Sequence, residues 1–373
     1  RSGFVVAKAR GRVCSPFPPA YLRIRHSKNL PIPFPAAKKE NPGIRRWLAG
    51  LTAFLFLSGF ASLHAAPVAA LAFGPDGETL WFGGHQSLVV CSARDGTIQR
   101  RLLLDFPKVS ALAFSPSGRL LAVAGGTPGQ SGVALLLNGK EGKTLQRFTN
   151  YSDQATSVAF SPDGSRFAVA SADHGVDVFQ ITAPQHDAQA AFKLIGHAGP
   201  VLAVAFSPTG RSIVTASADR SLKVWSVEDG KLIRSFNHHT EIVHALAFRP
   251  LDKVSDETRP AYCATGSDDQ TVRVWQPEIG RMVRIVRHHE GPVFGVAYSR
   301  DGARLFSAGR EGSVRVIDAD SDEILDQWRA HDDWIYSLAV SPDGATLATG
   351  DWAGQVKLWD LAGQTPRLKA HVH

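Results

Sequence analysis

The residues of this chain that could do chemistry come in sets of histidine, hydroxyl and acid. His197, Thr215 and Asp219 make one set, and His239, Thr265 and Asp269 a second. His289 with Glu311, and His331 with Thr349, are partial versions. Such groupings supply a base, a nucleophile and an orienting acid, the constellation of a hydrolytic triad. Two further chemistries are raised by His238-His239 and His288-His289 (metal ligation) and by Gly129-Gln130-Ser131-Gly132 (a nucleophile elbow). The elbow fails because it lacks the second spaced glycine and the strand-to-helix context. The histidine pairs lack a carboxylate or cysteine at ligand spacing. The triad-like sets recur at a fixed interval, whereas a catalytic centre is needed once, so they are expected to be structural. The expectation is therefore no catalytic residue, no metal and no cofactor.

The elements that carry these sets repeat with them. Seven times the chain writes a short strand, ALAF, ALAF, SVAF, AVAF, ALAF, GVAY and SLAV, ending at Phe73, Phe114, Phe160, Phe206, Phe248, Tyr298 and Val340. The intervals are 41, 46, 46, 42, 50 and 42 residues, a period that signals stacked repeat units. Alternate positions are small (Ala70, Ala72, Gly295, Ala297) and bulky (Leu71, Val296). Period two sorts them onto opposite strand faces, which suits an innermost strand at a crowded axis. Six copies run into a turn of the type SPDG (161–164), where Pro presets φ, Asp or Ser bonds its own backbone and Gly takes the left-handed position. Three more short strands follow in each unit, and no amphipathic helical stretch interrupts them. Four antiparallel strands per unit, seven units in all, is an all-β propeller pattern.

Units reading H…VLAVAFSPTG…TASADRSLKVW closely resemble WD40 repeats, and the resemblance covers roughly residues 62–373. It implies a seven-bladed β-propeller with four-stranded antiparallel blades, and a buried hydrogen-bonded tetrad of His, Ser or Thr, Asp and Trp in each complete blade. Blade four matches with His197, Thr215, Asp219 and Trp225, and blade five with His239, Thr265, Asp269 and Trp275. Blade seven keeps His331, Thr349 and Trp359 but has Ala353 where the acid is expected. Blade six carries His289, Glu311 and Ile317, and blade three Asp173 with Tyr151 and Phe179. Blades one and two are degenerate on the third strand (Cys91, Leu137), and the early blades are expected to be the less rigid half. Ring closure is left between face packing of blades one and seven and an added outer strand from residues 58–63.

The net charge of +7 suggests nucleic acid until it is located. Residues 1–46 hold 11 Lys or Arg and one acid, while the rest of the chain holds 30 bases against 33 acids. The repeat region is slightly acidic, so no nucleic-acid partner is expected. Residues 1–46 are basic and Pro-rich without apolar periodicity, and are expected to be disordered or absent from the mature protein. Residues 47–66 follow Arg45-Arg46 with an apolar run and small residues, the pattern of a signal peptide cleaved after Ala61 or of an uncleaved anchor, the one route to a membrane. Residues 67–373 are the propeller. An exported, periplasmic or membrane-anchored bacterial-type protein is expected, with a cytoplasmic one as the alternative. Cys14, Cys91 and Cys263 suggest neither a disulfide nor a metal site.

The expected function is a non-enzymatic scaffold that binds protein partners. In WD40 propellers the loops before the first strand and between the second and third share one face, the usual docking surface. In blade seven those loops carry Asp332, Asp333 and Trp334, and then Trp352. Rigid apolar area with an acidic rim is what an interface hot spot requires. The same tryptophans could instead seal the seam with blade one. The alternatives to a scaffold are an enzyme or ligand-binding propeller using the channel mouth, and a regulatory module of a larger membrane-associated assembly. The axis, lined by Ala, Ser and Gly, argues against chemistry there.

Overall fold

The computed structural model describes residues 66–182, 187–251, 260–363 and 365–372. The expectations placed on the leader, on the apolar run at 47–65, on an outer strand at 58–63 and on His64 lie outside these residues. Within them the chain folds into seven four-stranded antiparallel sheets, each made of consecutive strands. The strands of a blade are called a to d from the axis outward. The a strands are Leu71–Phe73, Lys108–Phe114, Ala155–Phe160, Val201–Phe206, Val243–Phe248, Val293–Tyr298 and Ile335–Val340. The a strands of successive blades pack side by side, and those of blades one and seven also meet, which closes the ring.

The turns behave as their residues dictate. In blade three the Ser161 hydroxyl donates to Asp163 Oδ1 at 2.6 Å and accepts the Arg166 amide at 2.9 Å. Gly164 completes that turn at φ 71°, a conformation that costs glycine nothing. Hydrogen bonds from Ser161 hold the Asp163 carboxyl below its ordinary range.

Closure rests on face packing. Val68 donates its amide to the Asp351 carbonyl at 3.0 Å, and the Ser337 hydroxyl donates to the Val68 carbonyl at 2.7 Å. Val68, Leu71 and Phe73 of blade one share a core with Ala348, Val356 and Leu358 of blade seven. A side chain at Gly350 would collide with Val68 and Ser337, so a glycine is needed for that approach. Similar apolar layers separate the other blades, and these layers are the stabilising interior.

The outer strands are mostly exposed and carry exposed apolar residues such as Leu103 and Ile195, which are ordinary on a protein surface. Cys91 and Cys263 are buried in different cores and unpaired, and burial pushes the Cys91 thiol up to about 12. Among the described residues no helix is long and apolar enough to cross a membrane.

Candidate docking face

The d-to-a loops and b-to-c turns lie at one end of the blades, here called the top. The histidine sets tie these two loops together. In blade four His197 Nδ1 lies 2.8 Å from Asp219 Oδ2 and Nε2 lies 2.7 Å from Thr215 Oγ1, which also accepts Trp225 Nε1–H at 2.9 Å. Blade five repeats this with His239 to Asp269 at 2.7 Å, His239 to Thr265 at 2.8 Å and Trp275 to Thr265 at 2.9 Å. The tetrad histidine side chains are at most 1% exposed. The Thr215 and Thr265 hydroxyl oxygens are each already engaged by histidine and tryptophan. These sets are the structural tetrads that the resemblance implies.

Their electrostatics follow from burial. Desolvation lowers the pKa of His197, His239 and His289 against the opposing pull of their acids. Burial alone would raise the Asp219 carboxyl. Hydrogen bonds from Ser221, the Ala198 amide and His197 outweigh it and hold the group at about 2. Asp269 is held well below the usual carboxylate range in the same way, with His239 and Thr271 as its main donors.

Blade seven corrects the sequence reading. Its tetrad is complete, because Asp351 and not residue 353 supplies the acid, at 2.8 Å from His331 Nδ1. Thr349 and Trp359 close the set at 2.6 and 3.0 Å. The acid has moved from the turn to the last residue of the b strand Thr346–Asp351, and the next position is then free for Trp352. Blade six has a variant set: His289 lies 3.0 Å from Glu311 and 2.8 Å from Ser307, and Arg315 bonds both His289 and Glu311. Ser307 and Arg315 were not recognised in the sequence. In blade three Tyr151 is buried at the histidine position, where burial and the nearby Asp177 push its phenol up.

The tetrads fix where the top-face residues sit. In blade seven the His331–Asp351 bond ties the loop bearing Asp332, Asp333 and Trp334 to the turn bearing Trp352. The Trp352 amide donates to the Trp334 carbonyl at 2.9 Å. The two indoles lie 6.2 Å apart between centroids and are 37% and 51% exposed. Asp333 Oδ1 accepts the Trp334 amide at 2.8 Å, and exposed Asp332 lies 3.6 Å from Arg329. The structure thus brings all four candidate residues together.

It also adds residues that the sequence reading missed. Six a strands carry a β-bulge at the position after their first buried residue: Ser110, Thr156, Leu202, His244, Phe294 and Tyr336. A bulge re-aims its extra side chain out of the ladder. In blades five to seven that side chain is aromatic. Phe294 and Tyr336 stack at 4.8 Å and 3°, with His244 edge-on to Phe294 at 5.0 Å and Tyr336 tilted against Trp352 at 5.4 Å. Trp334 joins at 5.9 Å from Phe294, with Arg310 laid over its ring at 5.2 Å. The ring contacts of Trp334 therefore reach blade six and those of Trp352 stay within blade seven, while the seam with blade one contains Val68 and its neighbours. The expected lining of Ala, Ser and Gly omits these bulge positions. The signal was present in the sequence, since that position reads Ser, Thr, Leu, His, Phe and Tyr from blade two onward.

Acids border the aromatic strip. Asp268 Oδ1 lies 2.7 Å from His244 Nε2 and accepts from it when that nitrogen carries the proton, and Glu241, Glu290 and Asp332 are exposed in the same set of loops. Burial raises the Tyr336 phenol, and the charges of Asp333 and Asp268 raise it further. Among the described residues no group of three or more His, Cys, Asp or Glu side chains is arranged to hold a metal ion.

Two comparisons with known proteins bear on this arrangement. The family model described as WD domain, G-beta repeat matches residues 142–180, 189–226, 230–276, 280–318 and 322–360, together more than half of the chain. Each match runs from the outer edge of one blade through the c strand of the next, so blade one and the a to c strands of blade two fall outside the matches. No curated protein is similar enough in sequence to count as a relative.

Proposed function

The chain belongs to the WD40 repeat family, and on that premise we propose that it is a non-enzymatic scaffold that docks a protein partner on the top face of blades five to seven. The observation that carries this reading is the half-exposed aromatic strip of Phe294, Trp334, Tyr336 and Trp352, which spans two blades and is fixed from below by tetrads. Tryptophan rings open to solvent beside a partly buried tyrosine on a rigid base supply contact area at little entropic cost, the make-up of a binding hot spot. A scaffold is favoured over an enzyme because the His, Thr and Asp sets are buried and satisfied by one another.

The test is capture of partners by the tagged protein against Trp334→Ser/Trp352→Ser and against Arg211→Ser on the bottom face. Loss of the same partners in the top-face variant alone, with an unchanged unfolding midpoint, is the expected result. Retention of every partner by that variant contradicts the reading.

Export is proposed on separate grounds, Arg45-Arg46 followed by the apolar run and small residues up to Ala66. N-terminal sequencing of the mature protein decides it, since an intact 45–60 segment in a soluble cytoplasmic product contradicts export.

A further inference from the structure

The top face of blades five to seven combines two features that select the same ligand chemistry. The first is an aromatic strip whose hub is Tyr336, with ring neighbours Phe294, Trp334 and Trp352. Aromatic faces attract cations through the ring quadrupole, and the protein already uses this, laying its own Arg310 guanidinium on Trp334. The second is charge. Asp268 lies 2.7 Å from His244 and Asp333 accepts the Trp334 amide at 2.8 Å. Glu241 and Glu290 are exposed in the loops before the a strands of blades five and six, while Arg310 is committed to the Trp334 face and Arg329 lies beside Asp332. His244, edge-on to Phe294, holds Asp268, and Trp334, stacked on Tyr336 at 6.3 Å, has its amide on Asp333, so acids and rings meet in one strip.

We propose that this face takes an extended, basic segment of a partner protein, with an arginine or lysine side chain laid over Tyr336 and Trp352 and its charge met by Asp268 and Asp333. The inference rests on the docking reading above and specifies its partner. The strip from His244 through Phe294 and Tyr336 to Trp352 crosses three blades, the reach of about four residues of extended chain. The bulged a strands hold the rings at that level, so the surface is formed before binding and the partner alone pays the ordering entropy.

The opposite arc offers no such chemistry. The corresponding positions of blades two and three are Ser110 and Thr156, and that of blade one is Ala69.

The experiment is fluorescence anisotropy on the full chain with three labelled Gly-Ser peptides of equal length, carrying Arg, Gln or Glu at alternate positions. The Arg peptide is expected to bind at least about tenfold more tightly than the Gln peptide and to weaken with added salt, with no binding of the Glu peptide. Asp268→Asn/Asp333→Asn is expected to weaken the Arg peptide by about tenfold. Asp163→Asn on the bottom face should leave it unchanged. Asp333→Asn alone, whose site is the more exposed, gives a smaller loss in the same direction and serves if the double variant folds poorly.

Equal binding of the Arg and Gln peptides, preference for the Glu peptide, or indifference to both acid variants overturns the proposal. So does a concentration-dependent dimer that Trp352→Ser abolishes, because a second copy then occupies the face. If Trp334→Ser/Trp352→Ser loses its partners while the acid variants keep them, the docking reading stands and the cationic partner is wrong.

Discussion

Blades four to seven and blades one to three solve the same packing problem with different chemistry. In the first group a buried histidine reaches an acid on the b-to-c turn or at the end of the b strand, and a hydroxyl on the b strand. In the second group the space is filled mainly by hydrocarbon: Leu121, Leu136 and Leu137 in blade two, and Phe167 and Phe179 of blade three against Phe148 of blade two, with ring centroids 4.4 to 5.6 Å apart. Blade three nevertheless keeps Asp173 and has Tyr151 at the histidine position. Apolar contact is non-directional, whereas a hydrogen bond fixes the orientation of what it joins. Tetrads therefore do more than stabilise. They set the relative position of the two top-face loops, and the residues beside the tetrad members (Asp268, Arg310, Trp334, Trp352) are the ones that form the aromatic and acidic surface. The half of the ring with directional cores is the half with a built face.

Breaking one core of each kind separates the two roles. Asp351→Ala leaves a buried histidine without its acid and is expected to cost about 3–5 kcal/mol in urea unfolding, and to abolish docking at sub-denaturing temperature. Leu136→Ala in blade two is expected to cost about 2–5 kcal/mol through its cavity while partner capture persists. If both variants lose docking in proportion to stability, the tetrads have no special role in positioning the face.

Acid should expose the same division. His197, His239 and His289 are held neutral by burial, so the unfolded chain binds more protons below its histidine pKa of 6.5 and stability falls as pH drops through that value. Asp219 and Glu311, held at about 2, contribute stability that is fully present above the unfolded carboxyl pKa and is lost between about 4 and 2. Urea midpoints measured from pH 8 downward should therefore decline in two stages. A flat profile between pH 7 and 5 contradicts the assignment of neutral buried histidines.

The smallest effect on stability is expected at the face itself. Trp334→Ser/Trp352→Ser should change the unfolding free energy by less than about 1 kcal/mol, because both indoles are already substantially exposed. A loss of several kcal/mol would make these rings core elements and not docking ones.

Most of the fold could be read from the strand repeat, because small and bulky positions alternate in register with turns that only Pro, Asp and Gly favour. The tetrads of blades four and five could be read as well. Asp351 could not, since the acid shifted from the turn to the strand end, a displacement that spacing alone hides but a hydrogen bond to His331 tolerates. The aromatic strip was half legible. Trp334 and Trp352 stood out as departures from the repeat, whereas His244, Phe294 and Tyr336 sat inside it. Period-two reading assigns a strand residue to one face or the other, and a β-bulge breaks that rule at the one position where these side chains lie. Partner chemistry became readable only when the rings of blades five and six were seen to meet those of blade seven.

The central claim, that docking belongs to one arc of the top face, is tested most directly by site-specific photocrosslinking at equivalent bulge positions. A benzophenone side chain placed at Tyr336 is compared with one placed at Thr156 on the opposite arc, in otherwise unchanged protein. The account predicts a partner adduct from position 336 and none from position 156. Adducts of equal yield at both positions, or at 156 alone, would contradict it.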